Sequence, residues 1–341
     1  MSDLLVVGGG PAGLATALYA VRAGLDVTVW DKRAGTLDKA CGEGLMPGAV
    51  AALADLGVEP VGEDLRGIRY VAGRRTAEAP FREGPGRGVR RTTLHAAMRA
   101  AAADAGIDVE RRSAQEIRQE DDGVVVDGER FRYVVAADGL HSGVRRLLGL
   151  EQHTSPRRRF GLRRHYRVAP WTSYVEVHWA RAVEAYVTPV APDEVGVAML
   201  TTTRASFDDH LTRFPSLRAR LGDAEPVGDV LGAGPLRQRA EARVAGRVLL
   251  VGDAGGYVDA LTGEGVALAV AQARAAVAAL ADDDPQRYER DWRTVTRRYR
   301  LMTGSLLAAT QVRPVRRILV PTAALLPSVF GAAVNALARP A

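Results

Sequence analysis

At 341 residues the chain is longer than one minimal core needs, which predicts two intergrown domains. Its 47% hydrophobic and 25% charged residues are those of a globular protein and exclude a long disordered tract. The net charge of +6 would suit an anionic partner, but the basic residues are spread along the chain, with no aromatic-interleaved groove and no common nucleic-acid module, so no nucleic-acid partner is expected.

In chain order, Asp3 to Val7 is a short apolar run ending at Gly8, Gly9 and Gly10, Pro11 to Ala23 has helical apolar spacing, and Asp26 to Trp30 is another β-branched run. That succession is β-α-β. No basic leader precedes the first run and glycines interrupt it, so a signal peptide is not expected. Thr92 to Ala105 reads as an Ala-rich helix, Asp108 to Arg111 as a strand, and Gly123 to Val126 with Phe131 to Ala136 as a hairpin turned at Asp127-Gly128. From Arg157 to Met199, alternating stretches such as Tyr174 to Trp179 and Val195 to Leu200 predict an antiparallel sheet. Val248 to Val251 is another apolar strand, ending in Gly252-Asp253, and Gly265 to Leu280 is an Ala/Val helix suited to packing on the first sheet. Between Arg317 and Arg339 lie 21 uncharged residues, enough in count to span a membrane, but Pro321 and Pro327 argue against one continuous helix. A helical cap over a substrate cavity is expected there, with peripheral membrane contact as the alternative.

The pattern Gly8-x-Gly10-x-x-Gly13 stands after a strand and opens a helix, with Asp31 at the end of the next strand, 18 residues beyond Gly13. Gly8 permits the tight turn, Gly10 lets backbone approach a pyrophosphate at the helix N-terminus, and Gly13 allows close helix–strand packing. Asp31 then accepts hydrogen bonds from ribose hydroxyls. Ala12, immediately before Gly13, and Lys32, next to Asp31, are grouped with these cofactor contacts.

Two distant segments decide which dinucleotide is expected. Ala137-Asp138-Gly139-Leu140-His141-Ser142-Gly143-Val144-Arg145 follows one strand and Val251-Gly252-Asp253-Ala254-Gly255-Gly256 another, and both resemble motifs of the FAD-dependent aromatic hydroxylase superfamily. The resemblance implies that Asp253 binds the ribityl chain and that Asp138 supports the pyrophosphate region. It also implies that the Thr262-Gly263-Glu264-Gly265-Val266 segment presents backbone N–H groups to the flavin's pyrimidine edge, through Gly263, Gly265 and Val266. A helix end there suits the negative charge of reduced flavin. Ala260 and Leu261 stand where relatives commonly carry Pro. Arg91 matches the Arg that approaches FAD at the start of the family's central helix, with Arg90 as the alternative register.

Asp38-Lys39-Ala40-Cys41-Gly42-Glu43-Gly44-Leu45 resembles the Lys-x-Cys-Gly-x-Gly-Leu signature of geranylgeranyl reductases, and the resemblance runs from Met1 to about Leu280. It implies that Cys41 and Gly42 line the flavin's active side with Lys39 nearby. The reductases' aromatic run Tyr-x-Trp-x-Phe-Pro is reduced here to Ala185-Tyr186-Val187-Thr188-Pro189, and the halogenase Trp-x-Trp-x-Ile-Pro run is absent. Cys41 is the single cysteine, so it forms no internal disulfide and excludes a Cys-rich metal site; no metal and a reducing, cytoplasmic setting are expected.

The fold expected is therefore α/β. A discontinuous Rossmann-type FAD-binding domain takes residues 1–60, 87–155 and 245–282, an inserted antiparallel-sheet substrate domain takes 61–86 and 156–244, and a C-terminal helical region takes 283–341. The expected activity is that of an NAD(P)H-dependent monooxygenase acting on an aromatic or polyketide-like molecule. The alternative is an ene-reductase or dehydrogenase of a hydrophobic prenyl or quinone substrate, and a non-catalytic flavoprotein is a third reading. No second glycine fingerprint exists, so NAD(P)H is a transient electron donor or a separate reductase supplies electrons. His95, His153, His165, His178 and His210 are scattered, and His178 and Tyr186, on the sheet expected to face the flavin, are the substrate-side candidates alongside Cys41 and Lys39.

Overall fold

The computed structural model describes residues 2–152 and 158–339; His153 and Arg157, both named above, lie outside them. Strand Leu4–Val7 is buried along its whole length. Leu4 and Val6 enter one apolar cluster with Leu14 and Ala17, while Leu5 and Val7 enter a second with Trp30 and Val134. That two-residue alternation between two cores is what a strand covered on both faces requires. Leu4–Val7 pairs in parallel with Val27–Trp30 and with Tyr133–Ala136. The sheet they belong to runs Val244–Ala245, Val248–Leu250, Tyr133–Ala136, Leu4–Val7, Val27–Trp30, Val109–Glu110, and its first pairing alone is antiparallel.

The Pro11–Arg22 helix opens with Pro, whose missing N–H has no intrahelical partner to lose at that position. It packs against the Gly265–Ala281 helix, where small side chains on both partners let the backbones approach. The hairpin turn expected at Asp127-Gly128 is present, with φ of 47° and 86°. Its second arm is shorter than the sequence predicts. Val124–Val126 pairs with Glu129–Phe131, and after Arg132 the chain leaves the hairpin to form the central strand Tyr133–Ala136. Phe131 is apolar like the run that follows it, so the change of pairing partner, and not local composition, ends the hairpin there.

A second sheet has seven strands, in the order Glu225–Ala233, Phe160–Arg167, Glu194–Thr201, Val183–Ala191, Tyr174–Ala180, Gly67–Ala72, Arg75–Pro80. Its pairings are antiparallel except that of Tyr174–Ala180 with Gly67–Ala72, which is parallel. One face is covered by Phe207, Phe214, Leu217 and Leu221 from two short helices and the turn that joins them. The other face looks onto the cavity described below.

The chain ends in three helices, Arg287–Gln311, Arg313–Leu325 and Pro327–Ala338. Ala323, Phe330 and Val334 of the last two pack on Ala77 and Ala79 at the sheet edge. Of the two prolines expected to break this stretch, Pro327 marks a bend of 102° between helices and Pro321 lies inside a helix. Among the described residues no single helix is long and apolar enough to cross a membrane.

Candidate cofactor and active site

The loops that follow the parallel strands surround a cavity of ≈ 330 Å3, the position at which open α/β sheets take ligands. Each glycine of the first loop has a separate physical reason. At Gly8 the backbone has φ 115° and a Cβ would stand 2.4 Å from the carbonyl oxygen of Ala137. A Cβ on Gly13 would stand 1.7 Å from the oxygen of Gly8, whereas a Cβ on Gly10 would meet nothing within 4 Å. Gly8 and Gly13 are therefore constrained by the protein itself. Gly10 and Ala12 instead line the cavity, at the N-terminus of the first helix.

Asp31 is buried at the end of its strand and accepts hydrogen bonds from the backbone N–H of Gly9 (2.7 Å) and of Arg33 (2.8 Å). Burial pushes its carboxyl up, but the hydrogen bonds from Arg33 and Gly9 outweigh this and hold it below the usual range. Lys32 is exposed and does not line the cavity; Arg33, the next residue, does. Lys32 lies in the bend that follows the strand Val27–Trp30. His95 braces the same loop, bonding the oxygen of Gly9 (2.8 Å) and the N–H of Leu37 (3.1 Å) through its two ring nitrogens.

Asp138 lines the cavity, and its Oδ2 accepts from the N–H groups of Gly143 and Val144 at the start of the next short helix. Arg145, fully buried, donates to the oxygens of Leu140 (3.0 Å) and Ala254 (2.9 Å). One guanidinium thereby ties the Asp138 loop to the Gly252-Asp253 loop, across more than a hundred residues of sequence. Asp253, Gly263, Gly265 and Val266 also line the cavity, the last two at the N-terminus of the Gly265–Ala281 helix. Arg91 lines it as well. Arg90, the alternative register, does not line it and pairs with Glu194 at 2.9 Å.

The Asp38–Leu45 segment straps the cavity wall. Lys39, Cys41 and Gly42 face the cavity, Thr188 donates to the oxygen of Gly42 (2.7 Å), and Cys41 Sγ accepts from the N–H of Glu43 (3.4 Å). Glu43 is buried. It is hydrogen-bonded to His165 (2.6 Å) and accepts from the N–H of Arg91 (2.8 Å), two partners that sequence reasoning did not attach to it.

Tyr186 and His178 part company. The strand period places Val175, Val177 and Tyr186 toward the cavity and Glu176 and His178 on the opposite face. His178 bonds Glu176 (3.1 Å) and packs edge-on against Phe214, so its expected place on the substrate side is corrected. Tyr186 donates to the oxygen of Leu261 (3.3 Å), and its hydroxyl is held well above the usual range by burial and by the charge of Glu184. Glu184 itself is bonded by Arg159 (2.6 Å) and by Arg316 (2.9 Å) of the C-terminal helices. Burial lifts Asp259 to about 6 against the attraction of Arg159, with Glu184 adding to the upward push. Burial likewise lifts Glu264 to about 7, against a hydrogen bond from Thr262.

The residues present suit a bound dinucleotide. Asp138 Oδ1 and Arg91 Nε are buried without a partner, although both residues line the cavity, and the wall at Gly10 is open where a side chain would fill it. Two helix N-termini supply unpaired N–H groups at the same cavity. Among the described residues no group of His, Cys, Asp or Glu is arranged to hold a metal.

A parallel sheet, a glycine turn against it and a helix N-terminus at the cavity together define a dinucleotide-binding protein of the Rossmann class. The chain belongs to the FAD binding domain family, which matches residues 1–283, and is an FAD-dependent oxidoreductase. It is 31% identical over 297 residues to digeranylgeranylglycerophospholipid reductase 1 of Methanothermobacter thermautotrophicus, covering 77% of this chain and 73% of that one. It is 30% identical over 331 residues to menaquinone reductase of Mycolicibacterium smegmatis, covering 86% and 80%. The fold is shared with a geranylgeranyl bacteriochlorophyll reductase-like protein from Thermoplasma acidophilum, with a TM-score of 0.79, 21% identity, and coverage of 99% of this chain and 96% of that one.

Proposed function

We propose that this protein is an FAD-dependent reductase of a carbon–carbon double bond in a hydrophobic prenyl or quinone-type molecule. The observation that carries this reading is the wall opposite the glycine loops. There the Lys39–Gly42 strap adjoins Leu65, Ile68, Phe81, Leu200, Leu306 and Leu337, which suit an uncharged apolar substrate. The names of the two relatives given above support it. Saturating a double bond takes two electrons and two protons, and bound FAD supplies the electrons as hydride, with NAD(P)H as transient donor.

The chain's own residues have separable tasks in this proposal. Asp31 holds the ribose hydroxyls, with Lys32 and Arg33 beside it, while Gly10, Ala12 and Asp138 take the pyrophosphate region. Asp253 takes the ribityl chain, and Gly263, Gly265 and Val266 the pyrimidine edge. Arg91, Cys41 and Gly42 border the ring system. Lys39 and the Cys41 thiol are the protic groups on the strap, and Tyr186 presents a hydroxyl from the facing sheet. Residues 61–86 and 156–244 form the substrate domain, and the helices of 283–341 close it. The work is cytoplasmic, with peripheral membrane contact through the C-terminal apolar segment.

Oxygenation of an aromatic or polyketide-like molecule is the second reading, favoured by the loss of the reductases' aromatic run around Tyr186. Oxygen separates the two. A reductase turns over under strict anaerobiosis with NAD(P)H or dithionite and adds hydrogen across the double bond. Incorporation of labelled oxygen from O2, with no anaerobic product, would overturn the proposal. Cys41→Ser is expected to keep FAD and the melting temperature while slowing turnover, because it replaces the thiol by a weaker acid of similar size.

A further inference from the structure

Four charged or polar side chains run in line from the strap into the second sheet. Arg163, 2% exposed, donates to the Asp38 carboxylate and to the oxygen of Lys39 (3.3 Å). Its other terminal nitrogen lies 2.8 Å from Nδ1 of His165, which is fully buried. Guanidinium nitrogens only donate, so Nδ1 of His165 accepts and the ring proton stands on Nε2. Nε2 then donates to Glu43 Oε2 at 2.6 Å, and Glu43 Oε1 accepts from the N–H of Arg91 at 2.8 Å. Glu194 lies 4.0 Å from the same Nε2 and is engaged by Arg90 at 2.9 Å.

Two further observations show that the fold accommodates this carboxylate. Glu43 has φ 59°, a conformation costly for a residue with a Cβ. Gly196, opposite His165 in the sheet register, leaves the space it fills, since a Cβ there would stand 2.8 Å from Glu43 Oε2.

We propose that Asp38, Arg163, His165 and Glu43 form a positioning chain that holds the Lys39–Gly42 strap and the start of the Arg91 helix in fixed relation, with His165 locked as its Nε2–H tautomer. Each link fixes the next. Arg163 holds the front of the strap, His165 takes its orientation from Arg163, and Glu43 passes that orientation to both Cys41 and Arg91. None of these side chains needs to touch substrate. The chain rests on the reading that this strap borders the active site, but its test does not use turnover.

The test uses the full-length, FAD-free protein at pH 8. Nitrogen-15 imidazole spectra of the native protein are expected to show His165 as the Nε2–H tautomer; an Nδ1–H tautomer or an imidazolium overturns the proposal. Alkylation of Cys41 by iodoacetamide reports strap mobility. Glu43→Gly relaxes the backbone but removes the carboxylate, and His165→Leu removes both ring nitrogens; each is expected to speed alkylation about tenfold, the size of one lost charge-assisted hydrogen bond. His165→Gln, which offers an acceptor to Arg163 and a donor to Glu43, is expected to restore the native rate to within about twofold. Native alkylation rates in both Glu43→Gly and His165→Leu overturn the proposal, as does failure of His165→Gln to restore the rate while remaining folded. If the variants do not fold, the tautomer of the native protein decides.

Discussion

Lys39 Nζ lies 3.8 Å from Asp253 Oδ2, joining the strap of the first third of the chain to the turn that follows the strand Val248–Leu250. Both side chains are partly exposed and both line the cavity, so this is a weak structural link of up to about 1 kcal/mol placed where a ligand must pass. Lys39→Met is therefore expected to leave the melting temperature nearly unchanged. Asp253→Ala is expected to weaken FAD binding about 10- to 100-fold, the range of a lost hydrogen bond to a charged group, while also leaving the fold intact. Flavin absorbance after gel filtration measures retention. An Asp253→Ala protein that keeps its full complement of FAD would remove this residue from the cofactor site.

The first glycine loop separates stability from binding. Gly13→Ala places a methyl group 1.7 Å from the oxygen of Gly8 and is expected to cost about 3 kcal/mol or more of folding stability. Gly10→Ala meets nothing within 4 Å, so chemical denaturation should match the native protein while FAD binding drops. Equal loss of stability in the two variants would contradict the assignment.

Burial lifts the Glu264 carboxyl to about 7 from an ordinary value of 4.5. A carboxyl whose folded pKa lies above its unfolded one binds more protons in the native state, so its contribution is full below about 4.5 and is lost as pH rises through about 7. Thermal melts from pH 5 to pH 8 are expected to show this loss, on the order of 2 kcal/mol, and Glu264→Gln is expected to flatten it. An unchanged pH slope in the variant would assign the effect to other groups.

The outer face of the C-terminal helices is apolar and uncovered, with Leu325 80% exposed and Val329 61% exposed. From Trp292 to Ala341 the chain holds eight arginines and no acidic residue. Exposed apolar side chains in a stretch of net positive charge favour an anionic lipid surface, at about 1 kcal/mol per arginine near it. Sedimentation with phosphatidylglycerol vesicles is expected to capture the protein more than phosphatidylcholine vesicles do, and less at high salt. Leu325→Ser with Leu326→Ser is expected to reduce capture about tenfold. Equal capture by both vesicle types would remove the electrostatic part of the argument, and no loss in the double variant the apolar part.

Local pattern made much of this protein legible from its residues alone. The β-α-β opening, the division of labour among Gly8, Gly10 and Gly13 and the acidic strand end at Asp31 follow from short-range spacing, because turn geometry and strand periodicity act over a few residues, while the flavoprotein family came from the resemblance of two further motifs to known ones. Tertiary structure decided what depends on register and on partners far along the chain. Tyr186 and His178 lie in neighbouring strands of similar composition, and only the pairing of Val177 with Tyr186 and of His178 with Ala185 sends one to the cavity and the other to the far side. Gly67–Ala72 joins the sheet of Tyr174–Ala180 in a parallel pairing that no local signal announces. Arg145 and Glu43 stood in the motifs as unremarked residues. Their meaning comes from burial, since a charge removed from water must find its partners wherever the fold brings them, and those partners are Leu140, Ala254, His165 and Arg91.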